Sequence, residues 1–261
     1  MEENIMGYDH DRIKSNARLF YKNNTGTSIL SVLIMLGVTF GASYAMTAVV
    51  GIFGVITGIS TGIGFGSVEA GMTGAYVVYY ILSYIVRIVL TLAMYPLTIG
   101  LYGWYTKSIY QKTSLGDIFL PYKPPHLWSN IGTGFLMSLY IFLWSLLFII
   151  PGIIKSYSYS QTFYIKAENP NIPASRAIEL SKIMMDGHKG QLFYLHLSFL
   201  GWSILSALTL NILGIVYVFP YYYAALAFAY EEIKADAAAR GIIDIREINP
   251  QYGMNETYPE M

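Results

Sequence analysis

The sequence predicts an all-α fold: a polytopic transmembrane helix bundle of six spans, with a cytoplasmic amphipathic helix between spans four and five. Three observations lead there. Of the 261 residues, 54% are hydrophobic and only 12% charged, about half the charge of an ordinary soluble domain. The apolar residues gather into runs close to the roughly 20 residues that a helix needs to cross a bilayer. The Lys and Arg residues between those runs all fall on one side if the chain crosses six times, as the preference for basic cytoplasmic loops requires.

The first run, 28–50, is free of charge and follows a long polar lead containing Arg12, Lys14, Arg18 and Lys22. It is longer than the apolar stretch of a cleavable signal peptide, so it is expected to stay as an anchor. Residues 51–74 hold eight glycines and no Lys or Arg. That density weakens a helix, so the segment is expected as a loop outside the membrane or one that dips back into it. The second span, 76–101, is interrupted only by Arg87, and Lys107, Lys112 and Lys123 follow it. The third, 131–150, is closed by Pro151-Gly152, a turn signal after which 153–168 can return as a short polar helix.

If that turn is ignored the count falls to five, and the basic segment 166–189 would face outward, against the charge rule. Pro173 suits a first helical position, and Ala174, Ala177, Ile178, Ser181, Met184 and Met185 share a face opposite Arg176, Glu179 and Lys182. This helix is either a platform for lipid headgroups or a partner, or a connector packed for stability. Spans 191–210 and 212–230 are divided by Asn211 and Gly214, and Pro96 and Pro220 are expected to kink spans two and six. Residues 231–240 continue the last helix into water, and 241–261 read as a flexible tail after a single membrane domain, 1–240. Both termini fall on the cytoplasmic side of a cell membrane.

The balance of 16 Lys+Arg against 16 Asp+Glu, with no Cys, argues against a charge-driven nucleic-acid binder and a disulfide scaffold. Chemistry is sparse. His10, His126, His188 and His196 are scattered without metal-ligand spacing, and the Gly62-Ile63-Gly64-Phe65-Gly66 run lacks the Lys of a phosphate loop. No Asp or Glu lies in the first three spans or in the last two before Glu231. The expectation is therefore a protein that is not an enzyme and needs no cofactor or metal. Its partners are membrane lipids and, in an accessory role, other membrane proteins.

One feature rises above this background. Tyr80, Tyr84, Arg87, Thr91, Tyr95, Thr98 and Tyr102 recur at helical spacing on span two, and Lys155, Tyr159, Thr162 and Lys166 do so on the return helix. A charge in hydrocarbon costs about 2.5–3.5 kcal/mol on insertion scales. Arg87 and Lys155 have no acidic partner in the spans, so their counter-charge must be a loop carboxylate such as Glu69, a lipid phosphate or an anionic ligand. Arg87, Lys155, Tyr80, Tyr84 and Tyr159 thus form a candidate anion or lipid site. The other reading is snorkelling of both cations to the headgroups. His196 is expected to bond between helices.

Phe148-Ile149-Ile150-Pro151-Gly152-Ile153-Ile154-Lys155, the following Tyr157-Ser158-Tyr159-Ser160 and Ala167-Glu168-Asn169-Pro170 carry a further signal. With Ser181 to Lys189 running into Leu197 to Trp202, Pro96 to Tyr102, and the opening Lys14 to Arg18, they resemble the bacterial membrane family called domain of unknown function 975. The resemblance covers most of residues 12–232. It implies a polytopic protein, mostly of Gram-positive bacteria, with no established activity. Two functions follow: a non-enzymatic scaffold, accessory or lipid-interacting factor of the bacterial envelope, and, as the alternative, a permease for a small or lipidic anion using Arg87 and Lys155.

Overall fold

A computed structural model describes the backbone of residues 8–64 and 68–250, and the side chains of 8–56 and 77–250. Every regular element among them is helical: α1 His10–Asn23, α2 Thr25–Gly64, α3 Val68–Tyr110, a 3-10 segment Leu115–Tyr122, α4 Leu127–Leu147, α5 Ile149–Ser158, α6 Thr162–Glu168, α7 Ala174–Met184, α8 Lys189–Ser198, α9 Leu200–Leu208, a π turn Gly214–Val218, α10 Phe219–Ala239 and α11 Ile245–Ile248. The chain divides into two compact units, one of residues up to 33 together with those from 95 onward, the other of residues 34–94.

Among the described residues, four stretches are long and apolar enough to cross a membrane: Thr25–Ile56, Val77–Tyr110, Leu127–Leu147 and Lys189–Leu208. They overlap the expected first, second, third and fifth spans. The other two expected spans are built from shorter pieces. Residues 153–168 are shared by α5 and α6 around a break at Tyr159–Gln161, and residues 212–230 by the π turn and the first half of α10.

The glycine-rich segment corrects the sequence reading. It is helical over 51–64 and again over 68–74, with 65–67 outside the described residues. A glycine costs about 1 kcal/mol in a helix relative to Ala. A peptide group left open in apolar surroundings costs several kcal/mol, so among Ile, Val and Phe the helix remains the cheaper state. α2 therefore extends to 40 residues and α3 to 43, each about 60 Å long at 1.5 Å per residue.

The corner after α4 also falls earlier than Pro151-Gly152. Phe148 is extended, at φ −160° and ψ 152°, and Pro151 sits in the first turn of α5, where its missing N–H leaves no bond unmade. Gly152 then permits close packing of α5 on α4, because a Cβ there would stand 2.1 Å from Ser145 Oγ. Pro220 likewise lies at the start of α10 rather than kinking its interior. The irregularity precedes it, in the π turn, and Asn211, at φ 63°, makes the corner from α9 in a conformation Asn tolerates.

The unit containing both chain ends is organised by α10, whose small residues Ala224, Ala225, Ala227 and Ala229 are all but fully buried. α1 packs on it through Ile13, Ala17 and Phe20, so the polar lead is part of the core. Tyr102 stacks on Tyr164 at 4.5 Å between ring centroids, and Tyr164 on Tyr230 at 4.8 Å, a column of rings linking α3, α6 and α10. α7 buries Ala177, Ile178, Leu180, Ser181 and Met184 and leaves Glu179 and Lys182 exposed. The segment read as a tail from 241 carries α11, with Ile248 fully buried. Residues 251–261 lie outside the described ones.

Candidate functional site

The break between α5 and α6 is where polar chemistry enters the apolar bundle. Interrupting a helix frees backbone groups that must find other partners. Ser181, on α7, satisfies two of them: its hydroxyl accepts from Gln161 N at 3.0 Å and donates to Ser158 O at 3.0 Å. One side chain thus stands in for the missing turn. The Gln161 amide donates to Ser160 Oγ at 3.0 Å and to Met185 Sδ at 3.3 Å, which leaves Gln161 Oε1 buried with no hydrogen bond. The hydroxyls of Thr162 and Tyr164 are buried without partners as well.

A cavity of about 220 Å³ opens beside this break, bordered by Tyr102, Tyr159, Gln161, Tyr164, His196 and Tyr222. Its walls offer hydroxyls, an amide and an imidazole, and none of its lining residues is an Asp, Glu, Lys or Arg. At about 30 Å³ per molecule it has room for several waters, or for one small polar group able to donate to Gln161 Oε1. His196 meets the Tyr157 hydroxyl at 3.2 Å, joining α8 to α5 as an interhelical bonder.

Of the residues singled out by the sequence, Tyr159 lines this cavity and is 6% exposed. Lys155, one turn earlier, instead places Nζ 4.5 Å from the ring centroid of Trp144, a contact that holds a cation with no carboxylate. Arg87, Tyr80 and Tyr84 belong to the 34–94 unit. There Arg87 borders a separate cavity of about 300 Å³ with Ser43, Thr47, Tyr79 and Ser83, while Tyr80 and Tyr84 point outward, 60% and 66% exposed. The side chain of Glu69 lies outside the described residues. The tyrosine stripe on α3 is thus divided: its first members are exposed, and Tyr95 and Tyr102 pack against Phe163.

Sequence reasoning missed a buried charge cluster. Residues 231–240 do not continue into water: Glu231, Lys234 and Asp236 are 5%, 5% and 8% exposed. Lys234 Nζ donates to Glu168 Oε1 at 2.7 Å and lies 2.9 Å from Glu231 Oε2, which also accepts from Tyr110 OH at 2.9 Å. Burial pulls the Lys234 pKa down, but the two carboxylates outweigh it and hold it above the ordinary lysine value. Asp236 pairs with His188 at 2.8 Å and Arg240 at 2.7 Å, and Glu232 with Arg12 at 2.9 Å. The i,i+3 spacing of Glu231 and Lys234 was visible in the sequence, whereas Glu168, 66 residues away, gave no such signal. Among the described residues, no three His, Cys, Asp or Glu gather as a metal site would require.

Compared with known families, residues 77–237 match the model described as protein of unknown function, DUF975. The match runs from the apolar part of α3 to α10 and covers well over half of the chain. No curated protein and no solved structure matches the chain.

Proposed function

The chain belongs to the DUF975 family, and on that premise we propose that it is a non-enzymatic, lipid-interacting membrane protein of the bacterial cell envelope, acting as a scaffold or accessory factor. One observation carries the reading: on α4, α8 and α9 the exposed face is the apolar one. Phe135, Leu139, Phe142 and Leu146 stand exposed at successive turns of α4, and Leu197, Leu200, Ile204 and Leu208 do the same along α8 and α9. An apolar surface of that extent needs lipid or a protein partner against it.

In this proposal the chain crosses the membrane six times, with residues 153–168 and 212–230 as the broken fourth and sixth spans and both ends in the cytoplasm. The fourth is supported by Ile153 and Ile154, which stand exposed on α5 and leave an apolar face for lipid. Purification of the full chain in lipid nanodiscs cut directly from cells, followed by native mass spectrometry, tests the function. Reproducible retention of defined lipids or of one membrane protein is expected. A chain that emerges with neither would lose the reading its support.

A second reading, permeation of a small or lipidic anion, draws on Arg87, which borders a cavity with Ser43, Thr47, Tyr79 and Ser83, and on Lys155, which sits on the Trp144 ring rather than on a carboxylate. Arg87→Ala and Lys155→Ala should then abolish anion flux into proteoliposomes. Equal flux in the variants would exclude it.

A further inference from the structure

We infer that the chain holds a phosphate group, that of an anionic lipid headgroup, in a basic pocket between the end of α3, the 3-10 segment, the start of α4 and α6. The inference rests on the lipid-interacting reading above and names the headgroup chemistry. The pocket encloses about 290 Å³, and its walls are built rather than incidental. The 3-10 segment lies against α3 so closely that a Cβ on Gly100 would be 1.8 Å from Ile118 O. A capping box fixes the start of the segment, with Gly116 N donating to Ser114 Oγ and Ser114 N to Asp117 Oδ2, both at 3.2 Å. Asn130 Nδ2 holds its far end through Pro121 O at 2.8 Å.

The charges facing this space are unbalanced. Lys107, Lys123 and Lys166 line it with His126, against the single carboxylate of Asp117, one oxygen of which accepts from the capping backbone. Lys166 is fully buried. Its ammonium donates to Ser129 Oγ, Pro170 O and Ile172 O at 2.8, 2.9 and 2.6 Å, three neutral acceptors that use its hydrogens without cancelling its charge. A buried charge without a counter-ion is costly, and an anion beside it offsets that cost.

Two further groups in the lining are buried without partners: Trp104 Nε1 and Asn130 Oδ1, on side chains 2% and 1% exposed. An indole N–H donates to a phosphate oxygen, and an amide oxygen accepts from a protonated phosphate or a headgroup hydroxyl. The depth points to a lipid. Lys107 lies near the end of the apolar stretch Val77–Tyr110 and His126 just before Leu127–Leu147, and Trp128 is 77% exposed beside it, as an aromatic anchor at the headgroup level would be.

The test compares the full chain with a Lys107→Gln/Lys123→Gln variant, whose altered side chains are exposed and outside the core, and with Trp104→Phe, which removes the indole N–H together with the five-membered part of the ring. Each is placed in nanodiscs of phosphatidylcholine, with or without phosphatidylglycerol, and bound lipid is read by native mass spectrometry. Inorganic phosphate in pure phosphatidylcholine discs forms a third arm, read by calorimetry. The wild type should enrich phosphatidylglycerol, and the double-lysine variant should lose that preference by about thirtyfold. Trp104→Phe should lose at least about tenfold, the value of the one hydrogen bond to a charged acceptor that goes with the indole N–H. Binding of inorganic phosphate that depends on both lysines, without lipid preference, would show a phosphate site but overturn its assignment to lipid. Retention of phosphatidylcholine with no anion response in any arm would overturn the pocket while leaving the lipid-interacting reading intact. A wild type retaining no lipid would defeat both.

Discussion

Lys234→Met removes the cation that Glu168 and Glu231 share, and the structure fixes what that should cost. The three side chains are 7%, 11% and 6% exposed in the order Lys234, Glu168, Glu231. Met fills nearly the same volume, so the packing loss is small and the electrostatic loss dominates. Breaking one partner out of a buried ion cluster costs about 3–5 kcal/mol. An independent bound agrees: a carboxylate that escapes by taking up a proton at pH 7, from an ordinary value near 4.3, costs about 3.7 kcal/mol. Tyr110 still donates to Glu231, whereas Glu168 Oε2 has no hydrogen bond.

At roughly 2–4 °C per kcal/mol for a chain of this size, the midpoint should fall by about 10 °C. The assay is intrinsic fluorescence during thermal unfolding in nanodiscs. The pH dependence carries a sign. A carboxylate stripped of its cation is relieved by taking up a proton, which becomes harder as pH rises. The deficit should therefore grow between pH 5 and 7, by at most about 1.4 kcal/mol per unit. Wild-type Lys234, held above the ordinary lysine value by its two carboxylates, does not titrate in that range. Adding Glu168→Gln to the variant should recover part of the loss. A midpoint within 2 °C of wild type, with no pH dependence, would refute the reasoning.

Three other predictions follow from the same contacts. Ser181→Ala strands the Gln161 N–H and the Ser158 carbonyl in a buried site, so it should lower unfolding stability in mixed micelles by about 2–4 kcal/mol. Ser181→Thr, which keeps the hydroxyl, should lose less. Arg176 Nε bonds Glu247 at 2.6 Å and Nη2 does so at 2.8 Å, and those bonds hold the Glu247 carboxyl below the usual range. That contribution is present above the unfolded value and lost as pH falls through the folded one, so protection from hydrogen exchange over 242–250, measured relative to the intrinsic rate at each pH, should fall below about pH 4. With Arg176 38% exposed, the pair is worth at most about 1 kcal/mol. In the six-span arrangement, single cysteines at the exposed Ser114 and Ser175 should both resist an impermeant thiol reagent applied outside intact cells. Labelling of the Ser175 variant from outside would contradict it.

Much of the fold can be read along the chain because long apolar runs state their own length. The spans starting at 28, 76, 131 and 191 overlap four helices of spanning length, and the helical periodicity after Pro173 marks the buried face of α7. The glycine-rich segment was misread because the cost of glycine was taken from water, where an open backbone is cheap. The turn at Pro151 was placed three residues late because Pro suits the first turn of a helix as well as it suits a corner. The candidate site was only partly legible. Tyr159 was identified, but the cavity beside it also needs Gln161, Tyr164 and His196, which come together only once the α5–α6 helix breaks and α7 seals it. Lys155 stood out as a cation without an acid, and its partner is a Trp ring, a pairing that a search for opposite charges does not find. The Glu168–Lys234 contact joins positions whose closeness depends on the packing of α6 against α10. No local pattern encodes it.

The central claim is that the exposed apolar faces of this chain meet lipid. The sequence contains no Cys, so single cysteines at Phe142, Leu197 and Ile204 can each carry one spin label in a reconstituted bilayer. Frequent collisions with dissolved oxygen and shielding from a water-soluble nickel chelate are expected at all three positions, with the opposite pattern at Glu179 and Lys182. Labels at Phe142, Leu197 and Ile204 that the nickel chelate reaches as readily as those at Glu179 and Lys182 would contradict it.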